Sequence, residues 1–301
     1  MNWQVVKDLV AYGREQEKLH DKKFRFTLTT NGILLNDEVQ EFVNKEMSNV
    51  VLSIDGRKEV NDRMRPFRNG HGSYDIIVPK FRKLADSRNQ TNYYVRGTFT
   101  RNNLDFCEDV LHMADLGFKQ VSVEPVVAAP EEDYAIREED IPFICEQYDK
   151  LAAEMVKRHG RENDFNFFHF MLDLDQGPCA IKRLRGCGCG NEYVAITPDG
   201  DIYPCHQFVG EADYKMGNVD DGTFNREMKS DFAKTHIYSK PDCRNCWARF
   251  YCSGGCNANN YQYSGDVHKA YKLSCEIEKK RLECAIVLKA IRMDRDAAKQ
   301  E

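Results

Sequence analysis

Apolar residues recur at helical spacing at the start of the chain (Trp3, Val6, Leu9, Val10), predicting a helix from Trp3 to about Leu19. The run Phe24 to Thr30 then reads as a strand that stops at the turn Asn31-Gly32. The pattern repeats. A helix over 37–47 leads to a strand over 49–56, and a helix over 74–85 leads to a strand over 93–100. A helix over 106–116 ends at Gly117, a residue suited to the left-handed position after a helix, and a fourth strand follows over 120–127. Strands alternating with helices of this length predict a parallel sheet or barrel. A helix over 141–158 closes this half, and the aromatic run Phe165 to Phe170 predicts core or interdomain packing. Near the other end, Ile277, Leu282, Ile286, Leu288 and Ile291 mark a terminal helix over 275–293.

In such folds the functional residues gather at the carboxyl ends of the strands. Here those positions are Thr30 and Asn31, Ser53 and Asp55, Arg96 to Thr100, and Glu124. Taken singly, Asn-Gly and Asp-Gly serve equally well as turns, and Ser53 or Glu124 as solvated loop residues.

Composition changes the picture at one point, the cysteines. Nine of the twelve lie at or after position 187, which separates a ligand-rich module from the strand–helix half. Five of them stand as C-x2-C-x5-C-x3-C-x18-C from Cys243 to Cys275, and Gly200 and Cys205 form G-x4-C before them. Thiolates this close in sequence wrap a metal with little loop-closure entropy, and sets of four suit zinc or an iron–sulfur cluster. One structural zinc takes four ligands, whereas at least seven sulfurs are on offer, so two metal centres are expected. The net charge of −5 offers no basic footprint for nucleic acid, and no run of about 18 apolar residues would span a membrane. The opening residues have neither the basic nor the apolar region of a secretory signal, so a reducing cytoplasm, where cysteines favour metal over disulfides, is the expected location.

The order C187-x12-G200-x4-C205, C243-x2-C246-x5-C252-x3-C256 and Cys275 resembles the SPASM module appended to many radical S-adenosylmethionine enzymes. The first half is similar to the later part of a radical SAM core, through Thr-Thr-Asn-Gly at 29–32, Ser-Ile-Asp-Gly at 53–56 and Arg-Gly-Thr-Phe-Thr at 96–100. Gly186-Cys187-Gly188, Glu192-Tyr193 and the segment Tyr203 to Gly210 resemble more narrowly the maturases that install thioether bridges in small six-cysteine ribosomal peptides. The resemblance implies an α/β fold. A partial (β/α) barrel lacking its first strands would occupy 1–160, a linker 161–186, a small cysteine-rich iron–sulfur domain 187–284, and a C-terminal helix and tail 285–301.

It also implies chemistry. Cys187, Cys205 and Cys256 would hold one auxiliary 4Fe–4S cluster, and Cys243, Cys246, Cys252 and Cys275 a second. The first set is one sulfur short, with Cys189, Cys179 or the substrate's own thiolate as the alternatives. Ser53, Asp55, Arg65 and Arg96 would contact S-adenosylmethionine, though structural caps and ion pairs explain them nearly as well. His206 would accept a proton, against the blander reading of a satisfied hydrogen bond beside a cluster ligand. Trp247, Phe250 and Tyr251 would shield a cluster from water. The partners implied are a small cysteine-rich precursor peptide and an electron donor such as flavodoxin or ferredoxin.

The family's C-x3-C-x2-C motif, which holds the cluster that binds S-adenosylmethionine, is missing, as is its Gly-Gly-Glu-Pro segment. The expectation is therefore a fragment with four of the six family strands, inactive alone. In the intact enzyme a 5′-deoxyadenosyl radical would remove an α-hydrogen from an acceptor residue before a peptide cysteine bonds to that carbon. Dehydrogenation of a cysteine or serine side chain and carbon–carbon crosslinking are alternative reactions of the same module. A zinc-ribbon-like binding protein, or an electron-transfer or peptide-docking module for another chain, are the non-catalytic alternatives.

Overall fold

The computed structural model describes residues 2–172 and 179–297. Met1, part of the expected linker (173–178) and the end of the expected tail (298–301) lie outside the described residues. The first half alternates as the periodicity predicts: α1 (Trp3–His20), β1 (Phe26–Thr30), α2 (Asp37–Glu46), β2 (Met47–Ser53), α3 (Lys58–Met64), α4 (Tyr74–Ser87), β3 (Tyr93–Phe99), α5 (Phe106–Asp115), β4 (Gln120–Pro125), α6 (Ile141–Arg158) and β5 (Asn166–Phe167). The sheet has the order β1-β2-β3-β4-β5 and every pairing is parallel, an open sheet with no closure into a barrel.

Two differences from the sequence expectation stand out. The aromatic run 165–170 contributes a fifth strand, where four strands and simple packing were expected. Its two paired residues are too short for a periodicity to register, and Phe167 is drawn in by pairing with Val121. Helix α3 escapes the pattern because its seven residues, KEVNDRM, hold a single apolar pair, Val60 and Met64, too few to register as a period.

The buried strands explain the sheet's solidity. Val50, Leu52, Ile54, Tyr93, Val95, Phe99, Val121 and Val123 are all fully buried, at alternate positions that put one face of the sheet in the core. Local signals start the helices: the Asn36 side chain accepts from the Val39 amide at the head of α2.

By compactness the chain forms two units, one of 1–125, 146–171 and 288–301 and the other of 126–145 and 172–287. From residue 179 onward the second unit continues with α7 (Ala180–Arg185). A four-stranded antiparallel sheet follows, β6 (Ala195–Ile196), β7 (Asp201–Tyr203), β8 (Gly217–Asn218) and β9 (Thr223–Phe224), and then α8 (Arg226–Lys234), α9 (Arg249–Cys252), α10 (Asn257–Ser264) and α11 (Lys272–Ala297), whose last turns count with the first unit. Its small core packs Phe208, Phe232, Tyr203, Ala258 and Val267 around the buried Cys189 and Cys205. No helix among the described residues is long and apolar enough to cross a membrane.

Candidate functional site

At the carboxyl end of the parallel sheet, Asp55 is buried just past β2. It accepts from Arg65 Nε at 2.7 Å, from Arg65 Nη2 at 2.9 Å and from the Thr98 amide at 3.0 Å. One strand further, Arg96 donates to Glu124 through Nε at 3.2 Å and Nη2 at 2.6 Å, and His169 Nε2 lies 3.3 Å from the Ser122 hydroxyl and 3.8 Å from Glu124. Ser53 ends β2 opposite Arg96 in the register, and a cavity of about 230 Å³ opens beside Asn31, Ile33, Arg65, Phe67 and Ser73. The sheet thus brings Ser53, Asp55, Arg65 and Arg96 to one edge. Asp55 and Arg65 are already engaged with each other, while the Arg96–Glu124 pair is solvated and open to exchange.

This edge holds a network that spacing did not reveal. Arg57 donates to Asp109 at 2.8 Å and to both oxygens of Asp105, and Asp109, fully buried, also accepts from Asn103. These residues lie in separate elements, so only the fold joins them. Gly56 belongs here for a steric reason: at φ +134 a Cβ would stand 2.3 Å from the Asp109 side chain.

In the second unit the cysteines form two groups. The segment Gly186-Cys187-Gly188-Cys189-Gly190 has left-handed φ at all three glycines, and the Cys187 and Cys189 thiols share a hydrogen bond. Cys205 follows β7, and both Cys187 and Cys256 face its thiol electrostatically. The G-x4-C spacing has a plain origin: Gly200, at φ +80, closes the turn between β6 and β7 by donating to the Thr197 carbonyl, and one strand length later the chain delivers Cys205. Cys189, the open alternative in sequence, sits buried between Cys187 and Cys205 and accepts from Asn257 Nδ2 at 3.4 Å. Cys179 is exposed and none of these contacts involves it.

Cys243, Cys246, Cys252 and Cys275 line one cavity of about 500 Å³. Cys252 and Cys256, only four apart, part company because Ser253, Gly254 and Gly255 all adopt left-handed φ and reverse the chain between them. Cys284 is buried in α11. Trp247 lines the cavity but is 53% exposed, and Phe250 and Tyr251 are exposed as well, so the expected aromatic shield is partial. His206 is exposed beside Cys205, its Nδ1 3.5 Å from the Tyr193 hydroxyl.

Burial governs the thiols. It pushes Cys252 up to about 12 and Cys275 up to about 11, raises Cys243 and Cys205, and leaves Cys187 as the exception, held low by its hydrogen bond from Cys189. Loading a cation would displace those protons, so the chemistry of the donors fits a thiolate-bound centre. Among the described residues no three His, Cys, Asp or Glu side chains converge on a point suited to a single ion. The sulfurs instead stand around a space.

A model of the SPASM family, an iron–sulfur cluster-binding domain, matches residues 187–247. The cysteine-type anaerobic sulfatase-maturating enzyme of Clostridium novyi is 25% identical over 245 residues, 78% of this chain and 64% of its own length. The radical SAM cyclopropyl synthase TigE of Paramaledivibacter caminithermalis is 19% identical, covering 92% of this chain and 56% of its own length. The chain therefore spans under two thirds of either relative. Native anSMEcpe with bound AdoMet and Kp18Cys peptide shares the fold, with a TM-score of 0.75 at 18% identity over 97% of this chain and 82% of that one. The cluster-binding domain, relatives of this kind and the shared α/β fold make the chain similar to the radical SAM/SPASM peptide maturases.

Proposed function

We propose that this chain carries two auxiliary 4Fe–4S clusters for oxidative modification of a ribosomally made peptide, with cysteine-to-α-carbon thioether crosslinking as the reaction. The observation that carries the reading is the sorting of eight thiols into two groups of four: Cys187, Cys189, Cys205 and Cys256, and Cys243, Cys246, Cys252 and Cys275. When bound, S-adenosylmethionine with its own cluster supplies hydrogen abstraction, and the auxiliary centres take up an electron.

The chain's own residues do the rest. The cysteines hold the centres, and the edge carrying Ser53 and the solvated Arg96–Glu124 pair offers hydroxyl, guanidinium and carboxylate groups to the cofactor's ribose and methionine ends. The Asp55–Arg65 pair fixes that edge in place. His206, exposed next to Cys205, takes the proton that a substrate thiol must lose. A small cysteine-rich peptide is the substrate, flavodoxin or ferredoxin the electron source and the cytoplasm the compartment. The sequence contains no C-x3-C-x2-C, so this chain alone releases no 5′-deoxyadenosine.

Side-chain dehydrogenation is a second reading, favoured by Cys189: a fourth thiol from the chain itself leaves no ligand position for a substrate thiolate. The first test is iron and acid-labile sulfide content, with Mössbauer spectra, after anaerobic reconstitution. About eight irons per chain in two 4Fe–4S centres are expected, and zinc without sulfide overturns the reading. Fused in frame behind a segment bearing C-x3-C-x2-C, the chain should convert a cysteine-rich peptide with loss of two hydrogens and one alkylatable thiol per crosslink. A carbonyl that reacts with a hydrazine probe would instead establish dehydrogenation.

A further inference from the structure

One buried charge in the second unit has no part in the reading above. Lys240 is 1% exposed, among the largest fully buried side chains of the protein. Its Nζ donates to the Gly254 carbonyl at 2.8 Å and to Asn257 Oδ1 at 3.0 Å. An ammonium has three donors, and the third finds no oxygen among the described residues. Nor does a carboxylate there come within ion-pair distance. An ammonium buried without a counter-charge costs several kcal/mol, so a partner of another kind is implied.

The surroundings supply it. Burial lowers the Lys240 pKa, and the groups that work against it by favouring the charged form are Cys243 and Cys252, from one set, and Cys189 and Cys256, from the other. The lysine's two acceptors have the same double allegiance. Gly254 lies in the left-handed turn that separates Cys252 from Cys256, and Asn257 passes the contact on by donating to Cys189 Sγ at 3.4 Å. Gly254 also lies beside the lysine's end, since a Cβ built on it would stand 3.6 Å from both Cδ and Nζ of Lys240. Lys240 is thus the cation that both cysteine sets share.

We infer that Lys240 is a positioning residue whose ammonium is the common counter-charge of the two auxiliary centres and raises the reduction potential of each. The inference rests on the cluster reading above. A 4Fe–4S core held by four thiolates is a dianion, and one-electron reduction of an iron makes it a trianion. A fixed positive charge in a poorly screened interior stabilises the reduced form more than the oxidised one. Hydrogen bonds and net charge near the sulfurs are the protein's means of setting such potentials.

The test is reductive titration with dithionite, followed by EPR, of anaerobically reconstituted wild type, Lys240→Met and Lys240→Arg, each with iron and sulfide counted. In Lys240→Met both midpoints should move negative by at least a tenfold change in the reduction equilibrium, about 59 mV for one electron. Lys240→Arg, which keeps the charge, should stay near wild type. Asn257→Asp gives an independent arm should Lys240→Met fail to fold. It retains an acceptor for the lysine, cancels its charge, and should move the centre of Cys243, Cys246, Cys252 and Cys275 negative although Asn257 donates to none of them. Wild-type midpoints in an iron-replete Lys240→Met or Asn257→Asp protein overturn the inference, as does a Lys240→Arg protein that shifts as far as Lys240→Met. Wild type that takes up no iron or sulfide is a different failure, that of the cluster reading itself.

Discussion

Replacing Arg65 with Met tests whether the carboxyl edge of the parallel sheet is held by an internal ion pair. Asp55 has a side chain 4% exposed and Arg65 one 33% exposed. The carboxylate accepts two guanidinium N–H groups and the Thr98 amide, so it ties the turn after β2 to β3 and to the end of α3. Arg65→Met leaves the buried carboxylate with one donor. Breaking a buried pair from one side costs roughly 3–5 kcal/mol, and the partial exposure of Arg65 puts the expected loss near the lower figure, about 3 kcal/mol. At roughly 2–4 °C per kcal/mol for a domain of this size, the unfolding midpoint of the first unit should fall by about 6–12 °C.

Trp3, packed edge-on against Phe42, gives a probe confined to that unit once Trp247→Phe removes the other tryptophan. Urea titrations of Arg65→Met, Asp55→Asn and the double variant then complete a cycle. The double variant should recover much of the loss, because Asn needs no cation. A cost below about 1 kcal/mol for Arg65→Met, with no coupling in the cycle, would refute the structural role and free both residues for direct cofactor contact.

Three further outcomes follow from named contacts. Gly97→Ala puts a Cβ 2.6 Å from the Ile54 carbonyl and 3.0 Å from the Asp55 α-carbon, so the first unit should lose about 1–3 kcal/mol in the same urea assay, and an unchanged midpoint would be incompatible with that approach. Cys252→Ala should cut bound iron by about half, one centre of two, while Cys284→Ala, buried in α11 away from the cavity lining, should leave iron content unchanged. Burial lifts the Cys107 thiol from its ordinary 9 up to about 12, so the folded state holds its proton more tightly than the unfolded one. The resulting stability is complete below about pH 9 and lost as pH rises toward 12, about 4 kcal/mol in all. Cys107→Ala should therefore show a shallower decline than wild type in denaturation series between pH 8 and 11, and parallel declines would contradict it.

Much of the candidate site is legible in the chain because several of its thiols are local. Cys243, Cys246 and Cys252 reach one cavity from ten residues of sequence, and G-x4-C is the length of one turn and one short strand. The strand–helix alternation is equally local, since β2 and β3 bury mostly alternate apolar positions and α2, α4 and α5 each bury an apolar stripe. What escaped the reading lacks such a signature. Strand β5 is two residues long, and α3 is a seven-residue helix with only Val60 and Met64 apolar. The Arg57–Asp105–Asp109 network joins residues 48 and 52 positions apart.

The sequence by itself determined the parallel α/β half and the cysteine-rich module, since each depends on residues near one another in the chain. Only the tertiary structure showed that Cys189 is buried near Cys205 while Cys179 is exposed, because burial turns on what packs around each thiol. It alone paired Asp55 with Arg65, and it alone set Lys240 among four cysteines of both sets. Periodicity and spacing record which face a residue shows. A buried charge is placed by what surrounds it on every side, and that becomes defined only when distant segments pack together.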